Sequence, residues 1–331
     1  MEKYLYAGAR IRTLENSVIG QERLERLLAC DGVGACIALL EEWGVQTVRD
    51  AGTGAFDREA TLMGRLSEAY REVLTSTDGA AFARLWLMPY DCNNIKSAIK
   101  CARRGLEPDR MLISLYGGIP ADTVKQAIAT RTFGLLPEPF GSAAKEATEQ
   151  LERAADPRVA DRILDAACYA GMSAQAKAGG VALAETLVRK KIDLTNVMIA
   201  LRAGRMGGSM GSRTLSEFFL PGGALALTDL LAWSAAGEDE LLERLYYNGF
   251  EAFVRCAKES ARTLASLERA ADDGFMETAR EAKMIPVGAE IAVGYLIGRE
   301  FEAKNLRILL AGKSVGLPAD ALRERMRRSY V

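Results

Sequence analysis

The chain has 331 residues, 49% hydrophobic and 26% charged, with a formal net charge of −1 and a pI of about 5.9. This is the composition of an ordinary globular protein, with no basic surplus of the kind that wholesale nucleic-acid binding requires. Histidine is absent, which removes Ser-His-Asp and Cys-His nucleophile pairs, H-E-x-x-H zinc chemistry and every histidine proton relay.

The amino-terminal "MEKYLYAGARIRTLENS" carries early charges and no apolar stretch suited to a signal peptide. Helical periodicity then takes over. In "REATLMGRLSEAYREVL", Leu62, Leu66, Tyr70 and Val73 share one face, predicting a helix. "YDCNNIKSAIKCARR", Tyr90 to Arg104, places an acid, an asparagine and two lysines in the start of another. The groups "LYGGIPADT" and "LLPEPFGS" read as turns. In "DPRVADRILDAACYAG", Asp156 is a candidate N-cap and Pro157 an N1 proline. There Val159, Ile163 and Ala167 form the apolar stripe, and Gly171 falls near the end.

"KIDLTNVMIALRAGR", Lys191 to Arg205, is followed by the breakers "GRMGGSMGS" and "FFLPGGAL". One long helix is expected from about Glu238 to Ala271, with Leu241, Leu245, Phe253 and Leu264 among its apolar positions. "MIPVGAEIAVGYLIG" is interrupted by Glu290 and is shorter than the ~20 apolar residues a membrane span takes. "EFEAKNLRILLAGK", Glu300 to Lys313, precedes a last turn in "KSVGLPAD". No segment alternates with β-branched residues over a strand's length, so the fold class is all-α. Six scattered cysteines (Cys30, Cys36, Cys92, Cys101, Cys168 and Cys256) form no C-x-x-C pair. They read as buried free thiols in a reducing compartment, the cytoplasm.

Three of these helices share a signature. Asp91, Asp193 and Glu302 each precede an asparagine by three residues, at Asn94, Asn196 and Asn305, which stand 102 and 109 residues apart. An aliphatic residue follows each asparagine (Ile95, Val197, Leu306), another lies four further on (Ile99, Leu201, Leu310), and a leucine precedes each acid by six (Leu85, Leu187, Leu296). "LERAAD" also occurs verbatim at Leu151–Asp156 and Leu267–Asp272. The expected organisation is three helical repeat units, residues 1–115, 116–220 and 221–331, in a closed or nearly closed pseudo-threefold body.

Gly312-Lys313-Ser314 resembles the end of a phosphate-binding loop, but Arg307 stands where that motif requires glycine, and the stretch follows a helix. A helix C-terminus is the expected role. "GRMGGSMGS" could cradle an anion, but a glycine-rich interhelical turn is the plainer reading. For the acid-x-x-Asn signature the expectation is structural. The acid favours the positive helix end, and the asparagine satisfies backbone groups where helices cross. Basic residues follow each asparagine: Lys96, Lys100, Arg103 and Arg104, then Arg202 and Arg205, then Arg307 and Lys313. Each one alone is explained by a solvated helix face. Three such groups beside three turns also fit an interface.

The opening "YLYAGARIRTLENSVI", the middle "DCNNIKSAIKCARRG" and the ending "EAKNLRILLAGKSVGLPADALRERMRRSYV" resemble the C subunit of the bacterial and archaeal V/A-type rotary ATPases. That family is related to the d subunit of the eukaryotic vacuolar enzyme. The resemblance spans Tyr4 to Val331, and N-L-R-I-L-x-x-G-K-x-x-G-L-P is its most specific run. Met198 stands where the other two repeats carry lysine or arginine, so a weaker basic contact is expected there. The resemblance implies an all-helical funnel of three similar domains, with no catalytic residue, cofactor, nucleotide site or metal. It implies one copy per complex, seated on the cytoplasmic face of the membrane proteolipid ring and receiving the shaft built from the D and F subunits. Such a part transmits rotation for proton or sodium transport without an active site of its own. Small residues at turns (Gly207, Gly208, Gly222, Gly223) would let loops approach closely. The reading that stands without the resemblance is an independent helical scaffold binding a soluble protein or RNA through its basic residues.

Overall fold

A computed structural model describes residues 4–108, 111–153, 156–205 and 215–331. Among these the chain is helical, and its one β pairing is an isolated bridge between Arg49 and Phe56. Two compact units divide it, a central one of Asp78–Glu238 and a terminal one formed by Met1–Thr77 with Asp239–Val331. Most of the "GRMGGSMGS" group, including Gly207 and Gly208, lies outside the described residues.

The terminal unit begins with α1 (Leu5–Glu15), α2 (Gln21–Leu28), α3 (Val33–Glu42) and α4 (Arg58–Ser76). Asp57 caps α4 by accepting from the Ala60 amide at 2.9 Å. Leu62, Leu66, Tyr70 and Val73 are all buried on its predicted face. The central unit holds α5 (Ala81–Arg84), α6 (Met88–Arg104), α7 (Ala121–Ala129), α8 (Phe140–Arg153), α9 (Arg158–Gly179), α10 (Ala182–Arg205) and α11 (Leu227–Ala236).

The α9 helix departs from its expected form. Asp156 does accept from the Arg158 amide at 2.9 Å, but Pro157 is the cap residue and not the first helical one. The helix runs through Gly171 and ends where Gly180 adopts a left-handed φ of +62°. Gly171 is a packing position, since a Cβ there would lie 3.0 Å from the Pro139 ring and overlap Met88. The buried line is Ala160, Leu164, Cys168, Met172 and Ala176, one residue beyond the expected stripe, and Val159, Ile163 and Ala167 are only half-buried.

The chain then returns to the terminal unit through α12 (Glu238–Tyr246), α13 (Glu251–Lys258), α14 (Leu264–Ala279), α15 (Glu290–Ser314) and α16 (Ala319–Arg323). The single helix expected over 238–271 is therefore three. Gly249 takes a φ of +86° after Asn248, and Arg262 takes +50° just before Thr263, which caps α14 by accepting from the Ser266 amide at 3.1 Å. The breaks let α13 bury Phe253 against Gly274 of α14, while Leu264 stays exposed. The "LERAAD" echo is correspondingly not a structural repeat. Leu151–Arg153 end α8 and Asp156 lies outside any helix, just before the Pro157 cap of α9, whereas Leu267–Asp272 sit inside α14.

The 25-residue α15 is the axis of the terminal unit, packed by α1, α4 and α14. Its first turns, Ile291 to Gly298, are wholly buried. Its last turns meet a core of Leu24, Leu27, Leu28, Cys36 and Leu40 through Leu306, Leu309 and Leu310, each such side chain contributing about 1.5–3 kcal/mol by burial. Gly312 to Ser314 end this helix, as expected, and the Lys313 ammonium donates to the carbonyls of Leu28 and Cys30 at 2.7 and 2.6 Å.

Candidate functional site

The repeated signature builds the same device three times. Asn94 donates from Nδ2 to the Ile113 carbonyl at 2.7 Å and accepts at Oδ1 from the Ile113 amide at 2.8 Å. Asn196 makes the same pair with Leu220, both at 2.8 Å. Asn305 makes it with Arg327, at 2.9 and 2.8 Å. A side-chain amide can copy the hydrogen-bonding face of a peptide, so each asparagine holds one residue of a downstream loop as a neighbouring strand would. All three lie on helices, at α6, α10 and α15, and are at most 1% exposed. The leucines six before each acid and the aliphatics one and five after each asparagine are buried in every copy.

The acids complete the clamp. Asp91 accepts from the Ile119 amide at 2.9 Å, and Asp193 from those of Ala224 and Leu225 at 2.9 and 3.1 Å. Glu302 accepts from the Ile19 amide at 2.8 Å, so the third clamp is closed by the other end of the chain. Only Asp91 lies in a first helical turn; Asp193 and Glu302 are mid-helix. The expected interaction with the helix dipole therefore applies to one copy in three. Likewise the asparagines grip loop backbone, not helix crossings. Gly223 is required beside Asp193, because a Cβ would overlap its carboxylate.

Charge compensation differs between copies. Burial pushes Asp91 up to about 7, against the opposing Ile119 hydrogen bond. Burial also raises Asp193, with the Ala224 and Leu225 amides pulling the other way. Glu302 is instead paired with Arg65 and with Arg299 at 3.0 Å. These two arginines and the clamped loops are parts of the clamps that no spacing in the sequence singled out. The Gly-Gly pairs of "LYGGIP" and "FLPGGAL", 23 to 27 residues after Asn94 and Asn196, were the available signal.

The basic residues mostly engage their own neighbours. Lys96 and Lys100 pair with Asp165 and Asp161 of α9 at 2.5 and 2.6 Å, stapling α6 to it. Arg205 makes a forked pair with Glu238, and Arg307 pairs with Glu59 at 2.9 Å. Arg202 lines a groove with Arg158, Arg162 and Phe218, and Arg103 lines another with Arg131 and Glu152. Arg104 is exposed in the last turn of α6. Among the described residues no cluster of three metal-ligating side chains occurs, and no helix is long and apolar enough to cross a membrane. All six cysteines are free, and Cys30 and Cys256 are half-buried.

Known proteins match this chain along nearly its whole length. It is 25% identical over 326 residues to the C subunit of the V-type sodium ATPase of Enterococcus hirae, covering 97% of both chains. It is 23% identical over 346 residues to the C subunit of the A-type ATP synthase of Haloferax volcanii, covering 96% of this chain and 95% of that one. The C subunit of the V-type ATP synthase of Deinococcus radiodurans is 23% identical over 346 residues, covering 97% and 90%. The profile of the ATP synthase (C/AC39) subunit family matches residues 7–325, and the chain belongs to that family.

Proposed function

We propose that this chain is the non-catalytic central-stalk subunit of a V/A-type ATPase or ATP synthase. It sits on the cytoplasmic face of the membrane, joins the shaft of the D and F subunits to the proteolipid ring, and passes rotation between them to drive proton or sodium transport. The observation that carries this reading is the family match over residues 7–325, with relatives named as the C subunit of A-type and V-type enzymes. Recurrence of the asparagine clamp on α6, α10 and α15 supports three repeat units, 1–115, 116–220 and 221–331, in a pseudo-threefold funnel. A shaft of two helices is about 20 Å across, and a broad adaptor gripping a wider ring at several weak points gains its hold from multivalency.

The basic set (Lys96, Lys100, Arg103, Arg104, Arg202, Arg205, Arg307, Lys313) is proposed to add register and assembly rate at these interfaces. The test is affinity capture of the tagged chain from detergent-solubilised membranes across a salt series. Capture of both shaft and proteolipid subunits is expected; capture of neither overturns the role. With the set changed to glutamine, capture should fail at lower salt, because salt screens charge attraction between partners to a reach of about 8–10 Å near physiological ionic strength. Unchanged capture at every salt removes the basic set from the interface.

A further inference from the structure

Cys30 and Cys36 flank the turn between α2 and α3, separated by Asp31-Gly32-Val33-Gly34-Ala35. Their thiols converge on one helix end. Cys30 Sγ donates to the Arg26 carbonyl and Cys36 Sγ to the next one, Leu27, each at 3.4 Å. Cys30 is half-buried and packs against the core that contains Cys36, which has no exposed surface. The turn is not packed over: Gly32 has a φ of +120°, and a Cβ at either Gly32 or Gly34 would meet nothing within 4 Å. The Lys313 ammonium donates to the Cys30 carbonyl at 2.6 Å and places a positive charge near the Cys36 sulfur.

We propose that Cys30 and Cys36 are a redox-active dithiol, a modification site that reacts with small-molecule disulfides and closes to an internal disulfide joining α2 to α3. Cys30, the sulfur with solvent access, is the point of entry. Its thiolate attacks one sulfur of the reagent, the reagent's S–S bond breaks, and the departing thiolate takes up a proton. Cys36 then loses its proton and attacks Cys30 Sγ. The bond between Cys30 and the reagent breaks as the internal bond forms, and the second reagent thiolate leaves and is protonated. The protein gives up two electrons and two protons, and one disulfide becomes two thiols. Burial pushes the Cys36 thiol up to about 12, with the neighbouring Cys30 adding to the rise and Lys313 opposing it. Cys36 therefore rests protonated and acts only as the resolving sulfur.

A second pair provides the contrast within the same molecule. Cys92 and Cys168 interact between α6 and α9, and each is 2% exposed. With no access for a reagent, this pair is inert while the protein is folded.

The experiment treats the native full-length chain with glutathione disulfide, blocks free thiols with an alkylating agent, and maps peptides by mass. The expected product is a Cys30–Cys36 bond with loss of two hydrogens, while Cys92 and Cys168 remain alkylatable after denaturation. In Cys36→Ser, Cys30 should instead accumulate one glutathione; in Cys30→Ser, Cys36 should stay as unreactive as Cys92. The proposal fails if wild type yields only a lasting mixed disulfide at Cys30, or no product at either residue. It fails equally if Cys92 and Cys168 oxidise as readily. Mapping wild type needs no variant to fold, so a poorly folding substitution leaves the test intact.

Discussion

Asn196 holds Leu220 through two hydrogen bonds in a site closed to water. A net gain of about 1 kcal/mol per bond, plus the cost of leaving buried backbone groups unpaired, sets truncation at about 2–4 kcal/mol. Asn196→Ala should lower the urea midpoint by that equivalent while far-ultraviolet circular dichroism stays native; an unchanged midpoint would show that the clamp carries no stability. Asp91 makes the second residue-scale prediction. Its folded value of about 7 lies above the ordinary 3.8, so the folded state holds the proton more tightly than the unfolded chain. Stability from this group is full below about pH 4 and is lost as pH rises to about 7. Asp91→Asn keeps an acceptor for the Ile119 amide without the charge. The variant should gain on wild type across that window, reaching a gap on the order of 1–4 kcal/mol at pH 8. Denaturant melts at pH 4.5 and 8 measure it, and a gap that does not widen with pH contradicts the buried, unpaired carboxylate.

Helix α15 shows what glycine spacing does for an element. Its Gly298 accepts the ring of Tyr330, and a Cβ there would stand 2.9 Å from ring atoms. Gly298→Ala should cost about 1–3 kcal/mol through overpacking. Combined with Tyr330→Ala the two costs should be less than additive, because the second substitution removes the clash. A double-mutant cycle in urea reads this directly, and strict additivity would mean that the two residues do not share the contact. Much at this scale was legible in the sequence. The α4 face, the leucines before each acid and the aliphatics after each asparagine all announced their burial by spacing. The α9 stripe lies one residue from its expected place because small residues at 160, 168 and 176 support a second line of the same period. The breaks at Gly249 and Thr263 were hidden under continuous apolar periodicity, although Asn248-Gly249 is a turn signal. The clamp partners were not legible, since an asparagine binding backbone leaves no mark on the side chain it binds. Nor could spacing foretell that Glu302 would reach Ile19, 283 residues earlier.

At the scale of the whole molecule, three clamps fasten helices to loops, the third also reaching Ile19, and numerous ion pairs tie helices together at the surface. Exposed pairs such as Arg307 with Glu59 add at most ~1 kcal/mol each. Most of the stability at this scale is therefore assigned to the buried clamps and the leucine-rich faces. In the proposed role, ion transport depends on this chain while ATP chemistry does not. The decisive experiment follows ATP hydrolysis and ATP-driven ion uptake together, in membrane vesicles stripped of this chain and then supplied with it. Without the chain, hydrolysis should persist while uptake falls to background, and returning the chain should restore uptake. Uptake that proceeds at its normal ratio to hydrolysis in the chain's absence would show that rotation does not pass through it.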